Sequence, residues 1–213
     1  MTITIFGATG MVGKYIVKQA LAKGIKVNAF GRNIEKLIDA DLNDKNLVAI
    51  KGYVFDEDEV LNVVKDADAV ISVLGGAFDG TDKTRSLGIK NIVKQMQKTN
   101  VKRIIALGGL GVLQADENSL VLDSPGYPHQ YLAVGHEHLE AYKLLESSPL
   151  DWTFVCPPNI IDKDADEKYI ATKNYPSTGG KQEVAAGNIA DFMLNELTSK
   201  KYINSRVGIA DAK

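Results

Sequence analysis

Gly7, Gly10 and Gly13 stand three residues apart in Ile3-Thr4-Ile5-Phe6-Gly7-Ala8-Thr9-Gly10-Met11-Val12-Gly13, where an apolar run gives way to an amphipathic one. Glycine at the first position lets a chain turn sharply at a strand end. At the second it lets the backbone approach a phosphate with no side chain between, and at the third it lets a helix pack tightly on a sheet. An anion at such a turn meets unpaired helix N–H groups, where the helix dipole favours negative charge. The spacing therefore points to a nucleotide pyrophosphate, because it falls between a predicted strand and a predicted helix.

A second group bears on which nucleotide. In this architecture the end of the second strand meets the adenine ribose, where an acid usually marks NAD and an arginine NADP. Here the strand ends Phe30-Gly31-Arg32-Asn33, and no acid appears until Glu35. Arg32 offers a planar, always-charged fork for a 2′-phosphate, and Lys36, one turn into a short following helix, adds a second charge. The expected cofactor is NADPH.

Other chemistry is thin. One cysteine, Cys156, and three scattered histidines, His129, His136 and His138, give no metal-ligand spacing and no internal disulfide. A Tyr-x-x-x-Lys pattern occurs at Tyr169 to Lys173, but in an irregular polar stretch beyond the sixth strand, so no catalytic role is assigned to it.

The elements that must position these residues alternate. Thr2 to Phe6, Lys26 to Phe30, Leu47 to Lys51, Ala69 to Leu74, Arg103 to Leu107 and Trp152 to Cys156 read as strands, most too continuously apolar to have a wet face. Helical periodicity fits Met11 to Lys23, Glu57 to Lys65, Lys83 to Asn100 and roughly Ala133 to Ser147. Buried strands separated by amphipathic helices imply an α/β, Rossmann-type doubly wound parallel sheet joined by right-handed crossovers. After Pro157-Pro158 the pattern changes. Residues 157–185 read as a small C-terminal lobe on the substrate side, with short strands near Tyr169 to Thr172 and Gln182 to Val184. A helix from about Asn188, taken as its N-cap, to Ser199 precedes a last strand at Arg206 to Ile209. The connections Gly108 to Gln130 and Asn159 to Lys181 are long enough to be substrate walls.

The 213 residues, 45% hydrophobic, suit one NAD(P)-binding domain over 1–213. A net charge near −2, from 25 basic and 27 acidic residues interspersed along the chain, offers no footprint for nucleic acid or an anionic membrane. A small-molecule partner is expected. No leader pattern and no apolar run of about eighteen residues is evident, so a soluble, unprocessed, cytoplasmic protein is expected.

With the glycine turn, Gly31-Arg32, Leu74-Gly75 and the block Leu150-Asp151-Trp152-Thr153-Phe154-Val155-Cys156-Pro157-Pro158-Asn159-Ile160, the chain resembles the atypical short-chain dehydrogenase/reductases. It is most similar to the NAD(P)H-binding group that includes biliverdin IX beta reductase (flavin reductase) and the NmrA-like proteins. The similarity covers nearly the whole chain. It implies that Gly7, Thr9, Gly10, Met11 and Val12 line the pyrophosphate, that Arg32 and Lys36 take the 2′-phosphate, and that Leu74 and Gly75 pass beneath the cofactor. It also implies that Pro157 and Pro158 lie near the nicotinamide. One departure touches the adenine. Relatives often carry Gly-Asp-Val after the third strand, the Asp reaching the adenine amino group, whereas here the run is Gly52-Tyr53-Val54. Val54 can still offer its backbone, and Tyr53 a ring or a hydroxyl.

Alcohol-type members of the superfamily use a tyrosine and lysine at Tyr-x-x-x-Lys spacing with a serine from the preceding strand end. Counted back from Leu150-Asp151-Trp152, those places hold Val134 and His138, and the serine place is Gly108-Gly109. His138 agrees with the flavin reductase-like subgroup and is the candidate proton donor or relay, set against a structural role beside Glu137 and Glu140. Hydride transfer to a flavin or quinone needs no dedicated acid, since charge spreads over the acceptor and solvent supplies the proton. Phe78, Leu110, Val112, Leu113, Tyr127 and Tyr131 offer an apolar platform for such a ring. The leading expectation is an NADPH-dependent reductase of a flavin, quinone or similar conjugated molecule, with flavin as a possible substrate. The runner-up is a non-enzymatic NmrA-like redox sensor with a protein partner. A nucleotide-sugar epimerase or dehydratase comes third, because its tyrosine and lysine are missing.

Overall fold

A computed structural model of the chain describes residues 1–38 and 44–213, apart from the side chains of Lys36 and Ile38. Burial at every position of β4 (Ala69–Ser72) and at all but one position of β1 (Thr2–Phe6) and β5 (Arg103–Leu107) leaves no wet face, so these strands sit centrally. Around them run β2 (Lys26–Gly31), β3 (Leu47–Lys51), β6 (Asp151–Cys156), β8 (Tyr169–Lys173) and β10 (Ser205–Asp211). The strand order is β3-β2-β1-β4-β5-β6-β10-β8. All neighbours are parallel except β8, which lies antiparallel to β10 at the edge. Phe6 pairs with Phe30 on one side and Ser72 on the other, so β1 and β4 flank the point where the order reverses. Ligands of open α/β sheets bind outside the strand ends there.

Side chains of β1 alternate between two cores. Ile3 and Ile5 pack with Ile16, Val17, Ile189 and Met193, beneath α1 (Met11–Ala22) and α6 (Ala186–Ser199). Phe6 packs on the opposite face with Phe30, Val60, Ile92 and Leu145, beneath α3 (Glu57–Val64), α4 (Thr84–Met96) and α5 (Leu132–Glu146). Each such fully buried side chain is worth about 1.5–3 kcal/mol of transfer from water. Thr4, between them, is buried only because its hydroxyl donates to the Val63 carbonyl at 2.7 Å. The short α2 (Glu35–Ile38) follows β2.

Within 157–185, β7 (Asn159–Ile161) and β9 (Glu183–Ala185) form a separate parallel pair, while β8 joins the main sheet. The long connection after β5 is taken up by short 3-10 turns at Leu110–Val112, Val121–Asp123 and His129–Tyr131. Asn188 is not the N-cap of α6. That helix begins two residues earlier, and the Asn188 side chain is buried inside its first turn. Its Oδ1 accepts the N–H groups of Asp166 and Glu167, and its Nδ2 donates to Asp166 and Asp211. Asp211, at the end of β10, meanwhile accepts the Ala185 N–H. The amide is spent on tying the loop before β8 to the helix, a long-range role that a local capping pattern does not reveal.

Candidate functional site

The carboxyl ends of β1 to β4 open onto a cleft of about 590 Å³. Gly7, Thr9, Gly10, Arg32, Val54, Leu74 and Gly75 line it together. The turn beneath is built by steric necessity. Gly7 has a left-handed φ of 84°, and a β-carbon there would lie 2.5 Å from the Val73 carbonyl oxygen. A β-carbon at Gly13 would lie 2.1 Å from the Gly7 oxygen, which is how closely α1 rests on the turn. Gly10 differs. Its φ of −76° suits any residue, and a β-carbon there would meet only the Gly7 oxygen, at 3.3 Å.

α1 starts at Met11 with no side-chain cap and no acidic residue in its first turn. Its first N–H groups, from Met11, Val12 and Gly13, have no carbonyl one turn earlier to accept them. By contrast α3 is capped by Asp56 and opens Glu57-Asp58-Glu59. An uncapped helix start beside a glycine turn fits a pyrophosphate, and a capped acidic one would not. Met11 is exposed, whereas Val12 and Gly13 are buried under the turn, and none of the three lines the cleft.

Arg32 follows β2 on the cleft wall, exposed and with no ion-pair partner among the described residues. The Lys36 side chain lies outside the described residues, although its backbone is in α2. Gly52, Tyr53, Val54 and Phe55 form the wall after β3. Val54 is buried, and its carbonyl accepts from Asn91 Nδ2 at 2.8 Å. The wall after β4 holds Thr81, Asp82, Lys83 and Thr84. Asp82 accepts the Thr84 and Ala77 N–H groups, and hydrogen bonding from the Thr84 side chain, with those backbone bonds, holds its pKa below the usual carboxylate range. Lys83 Nζ donates at 2.9 Å to Glu137, which is buried on α5 and also accepts from Ser86 at 2.8 Å. Burial pushes the Glu137 pKa up, but the bonds from Lys83 and Ser86 outweigh it and hold the carboxyl below its ordinary value. Nothing in the sequence marks Glu137 as buried, since its partners lie about fifty residues away.

His138 stands on α5 against Gly109, where a β-carbon would come within 2.9 Å of the imidazole Cδ2. Its Nδ1 is fully buried and has no hydrogen-bond partner among the described residues. Burial first, and the nearby Arg85 guanidinium second, push its pKa down to about 3. The ring is therefore neutral across the physiological range. Glu137 is engaged elsewhere and Glu140 pairs with Lys143, so neither acid is hydrogen-bonded to the imidazole. Gly108 and Gly109 occupy the end of β5, with the Gly108 N–H bonded to Val155.

Pro157 and Pro158 lie beyond the cleft lining. The Pro157 carbonyl accepts from Leu110, and Pro158 lines a small separate cavity with Leu110 and Cys156. Cys156 is fully buried, its thiol pushed up to about 12 by desolvation, so it is no nucleophile. Of the proposed aromatic and aliphatic platform, Val112 and Leu113 are fully buried and belong to the core beneath β5 and β6, because a 3-10 turn folds them inward. Phe78 and Tyr131 remain exposed, 6.4 Å apart between ring centroids, with Arg85 against Phe78. Tyr169 donates to Asp191 on α6 at 3.0 Å, away from the cleft, and its phenol is pushed up to about 12 by desolvation and that carboxylate. Among the described residues there is no cluster of metal-ligating side chains and no helix long and apolar enough to cross a membrane.

The model of the NAD(P)H-binding family matches residues 7–200. Among curated proteins, YwnB of Bacillus subtilis, whose own function is uncharacterized, is 26% identical over 97% of this chain and 96% of its own. Two solved structures share the fold over essentially the whole chain. One, from Bacteroides thetaiotaomicron and provisionally described as an epimerase, has a TM-score of 0.86 at 27% identity, covering 100% of this chain and 97% of that one. The other, from Streptococcus pneumoniae and provisionally described as an NADH-flavin reductase, has a TM-score of 0.83 at 26% identity, covering 99% of both chains.

Proposed function

The chain belongs to the NAD(P)H-binding family, and on that footing we propose that it is an NADPH-dependent reductase passing hydride to a flavin, a quinone or a similar conjugated small molecule. The observation that carries this reading is the makeup of the β5 end, where Gly108, Gly109 and the neutral ring of His138 stand in place of a proton-donating set. A carbonyl acceptor needs an acid at the nascent alkoxide. A conjugated ring spreads the arriving charge and draws its proton from water.

NADPH, when bound, supplies the hydride. The chain's part is positioning. The Gly7–Gly13 turn and the start of α1 hold the diphosphate, and Arg32 presents two parallel donors to the 2′-phosphate. The Leu74-Gly75 backbone supports the cofactor from β4, with Pro157 and Pro158 toward the nicotinamide. Exposed Phe78 and Tyr131 offer ring faces to a planar acceptor. His138, against Gly109, stays neutral throughout.

The Streptococcus pneumoniae relative's name supports a flavin acceptor, and Arg32 is the reason to favour NADPH over the NADH in that name. The epimerase name of the Bacteroides relative finds no tyrosine–lysine pair here, since those places are Val134 and His138. A lone buried cysteine and interspersed charge suit a cytoplasmic setting and a small-molecule partner in preference to nucleic acid or membrane. The test is NADPH oxidation, followed by absorbance, with FMN, FAD and quinones. Turnover with at least one acceptor is expected. Tight NADPH binding with no turnover on any acceptor would overturn the reductase reading in favour of a dinucleotide sensor.

A further inference from the structure

The wall after β3 carries two aromatic rings that the core does not use. Tyr53 and Phe55 are 46% and 39% exposed, both line the cleft, and they meet edge to face at 5.1 Å. Their backbone is pinned from behind. The Tyr53 N–H donates to Glu59 at 2.6 Å, and Asn91 Nδ2 donates to the carbonyls of Val54 and Asp56. Between the two rings Val54 turns inward to the core, so the rings share the outward side of a fixed loop. Leu74 and Leu87 complete the apolar lining, with Arg32 on the neighbouring wall.

Among the described residues, the carboxylates nearby are already engaged. Glu59 accepts the Tyr53 amide, Asp56 accepts the Glu59 amide, and Asp82, the acid that lines the cleft, accepts those of Thr84 and Ala77. The side-chain amide beside Arg32 is Asn33, whose oxygen and nitrogen can serve an exocyclic amino group or a carbonyl equally well. Among the described residues, a planar heterocycle entering this part of the cleft therefore finds ring faces, and the acceptors beside them, the Asn33 oxygen and the Tyr53 hydroxyl, belong to groups that also donate.

Resting on the dinucleotide reading above, we propose that the Tyr53–Phe55 pair takes the cofactor's purine by stacking and leaves its amino group unread. Selection then falls to Arg32 and the 2′-phosphate, and the base itself is exchangeable among purines.

Calorimetry separates the possibilities. Wild-type protein is titrated with NADPH, with the reduced hypoxanthine analogue of NADPH, and with adenosine 2′,5′-bisphosphate. The proposal expects NADPH and its hypoxanthine analogue to bind within about threefold of each other. It expects the Tyr53→Ala/Phe55→Ala double variant to weaken all three ligands by about tenfold or more, and Tyr53→Phe to bind as wild type does. A hypoxanthine analogue more than about tenfold weaker than NADPH would overturn it, because the amino group would then be read. So would a folded double variant with undiminished affinity. The analogue comparison needs no variant, so a double variant that failed to fold would leave the proposal open to refutation. Wild-type protein that bound no dinucleotide would sink the cofactor reading together with the stacking proposal, whereas NADPH binding indifferent to the rings would sink the stacking alone.

Discussion

Lys83 on the cleft wall reaches Glu137 of α5 across 2.9 Å, from a side chain 54% exposed to one 5% exposed. The pair, with Ser86, ties the start of α4 to the middle of α5, so the wall after β4 is held from behind by a buried carboxylate.

Glu137→Gln removes that charge while keeping its shape. Because Lys83 can turn to water when released, the expected loss is about 1–2 kcal/mol, well short of a fully buried pair. The folded Glu137 pKa is depressed, so its contribution is full above the unfolded value and fades as pH falls through the folded one. Urea unfolding at pH 7 and near pH 3 checks this. The gap between wild type and variant should narrow in acid, and a gap that widened would contradict the assignment.

The three glycines of the turn should separate by role. Gly13→Ala forces a methyl into the Gly7 carbonyl and should cost about 1–3 kcal/mol or more through overpacking. Gly10→Val has permitted backbone angles and a single tight contact, so the fold should persist while the branched side chain fills the space needed by the pyrophosphate. Thermal melts and calorimetry with NADPH test the pair. A folded Gly10→Val protein with normal affinity would reduce the glycine loop to a turn.

Arg32→Ala should weaken NADPH by about tenfold to a hundredfold and leave NADH nearly unchanged, since a charge-assisted fork on a phosphate is worth about 1.5–3 kcal/mol. Dissociation constants for both nucleotides, in wild type and variant, decide it. Equal wild-type affinities, or an unaltered preference in the variant, would remove Arg32 from the ribose site. The same titrations at raised salt should erode the NADPH preference, because Arg32 is exposed and its field is screened.

Much of this arrangement was legible in the sequence for a physical reason. Strands such as Ala69–Ser72, buried on both faces, show it in a run of apolar residues, here Ala69 to Ile71, and the glycine turn obeys local sterics. What was not legible depended on distant partners. Glu137 looks like an ordinary helix surface residue until Lys83 and Ser86 are brought to it. Asn188 looks like a cap until the helix begins before it at Ala186 and its side chain is drawn to Asp166, Glu167 and Asp211. Val112 and Leu113 look like loop residues available to a ligand, and a 3-10 turn folds them beneath the sheet edge.

His138 offers the sharpest test of the chemistry. With its pKa pushed to about 3, the imidazole stays neutral from pH 6 to 9, so its titration should leave no inflection in the pH profile of NADPH oxidation. His138→Ala should lower the rate by about tenfold or less, where a committed general acid would cost about a hundredfold or more. Tyr169→Phe, which loses only the bond to Asp191, should leave the rate unchanged. Stability carries the complementary sign. An imidazole neutral in the fold and protonated when unfolded stabilises fully above the unfolded pKa near 6.5, and that contribution drains away as pH falls toward 3. Wild type should therefore lose stability between pH 7 and 4 more steeply than His138→Gln, measured by urea unfolding at each pH. A rate profile breaking near pH 6.5 that vanished in His138→Gln would mean that the histidine titrates in place and acts as an acid, and the acceptor would then have to be reconsidered as a carbonyl.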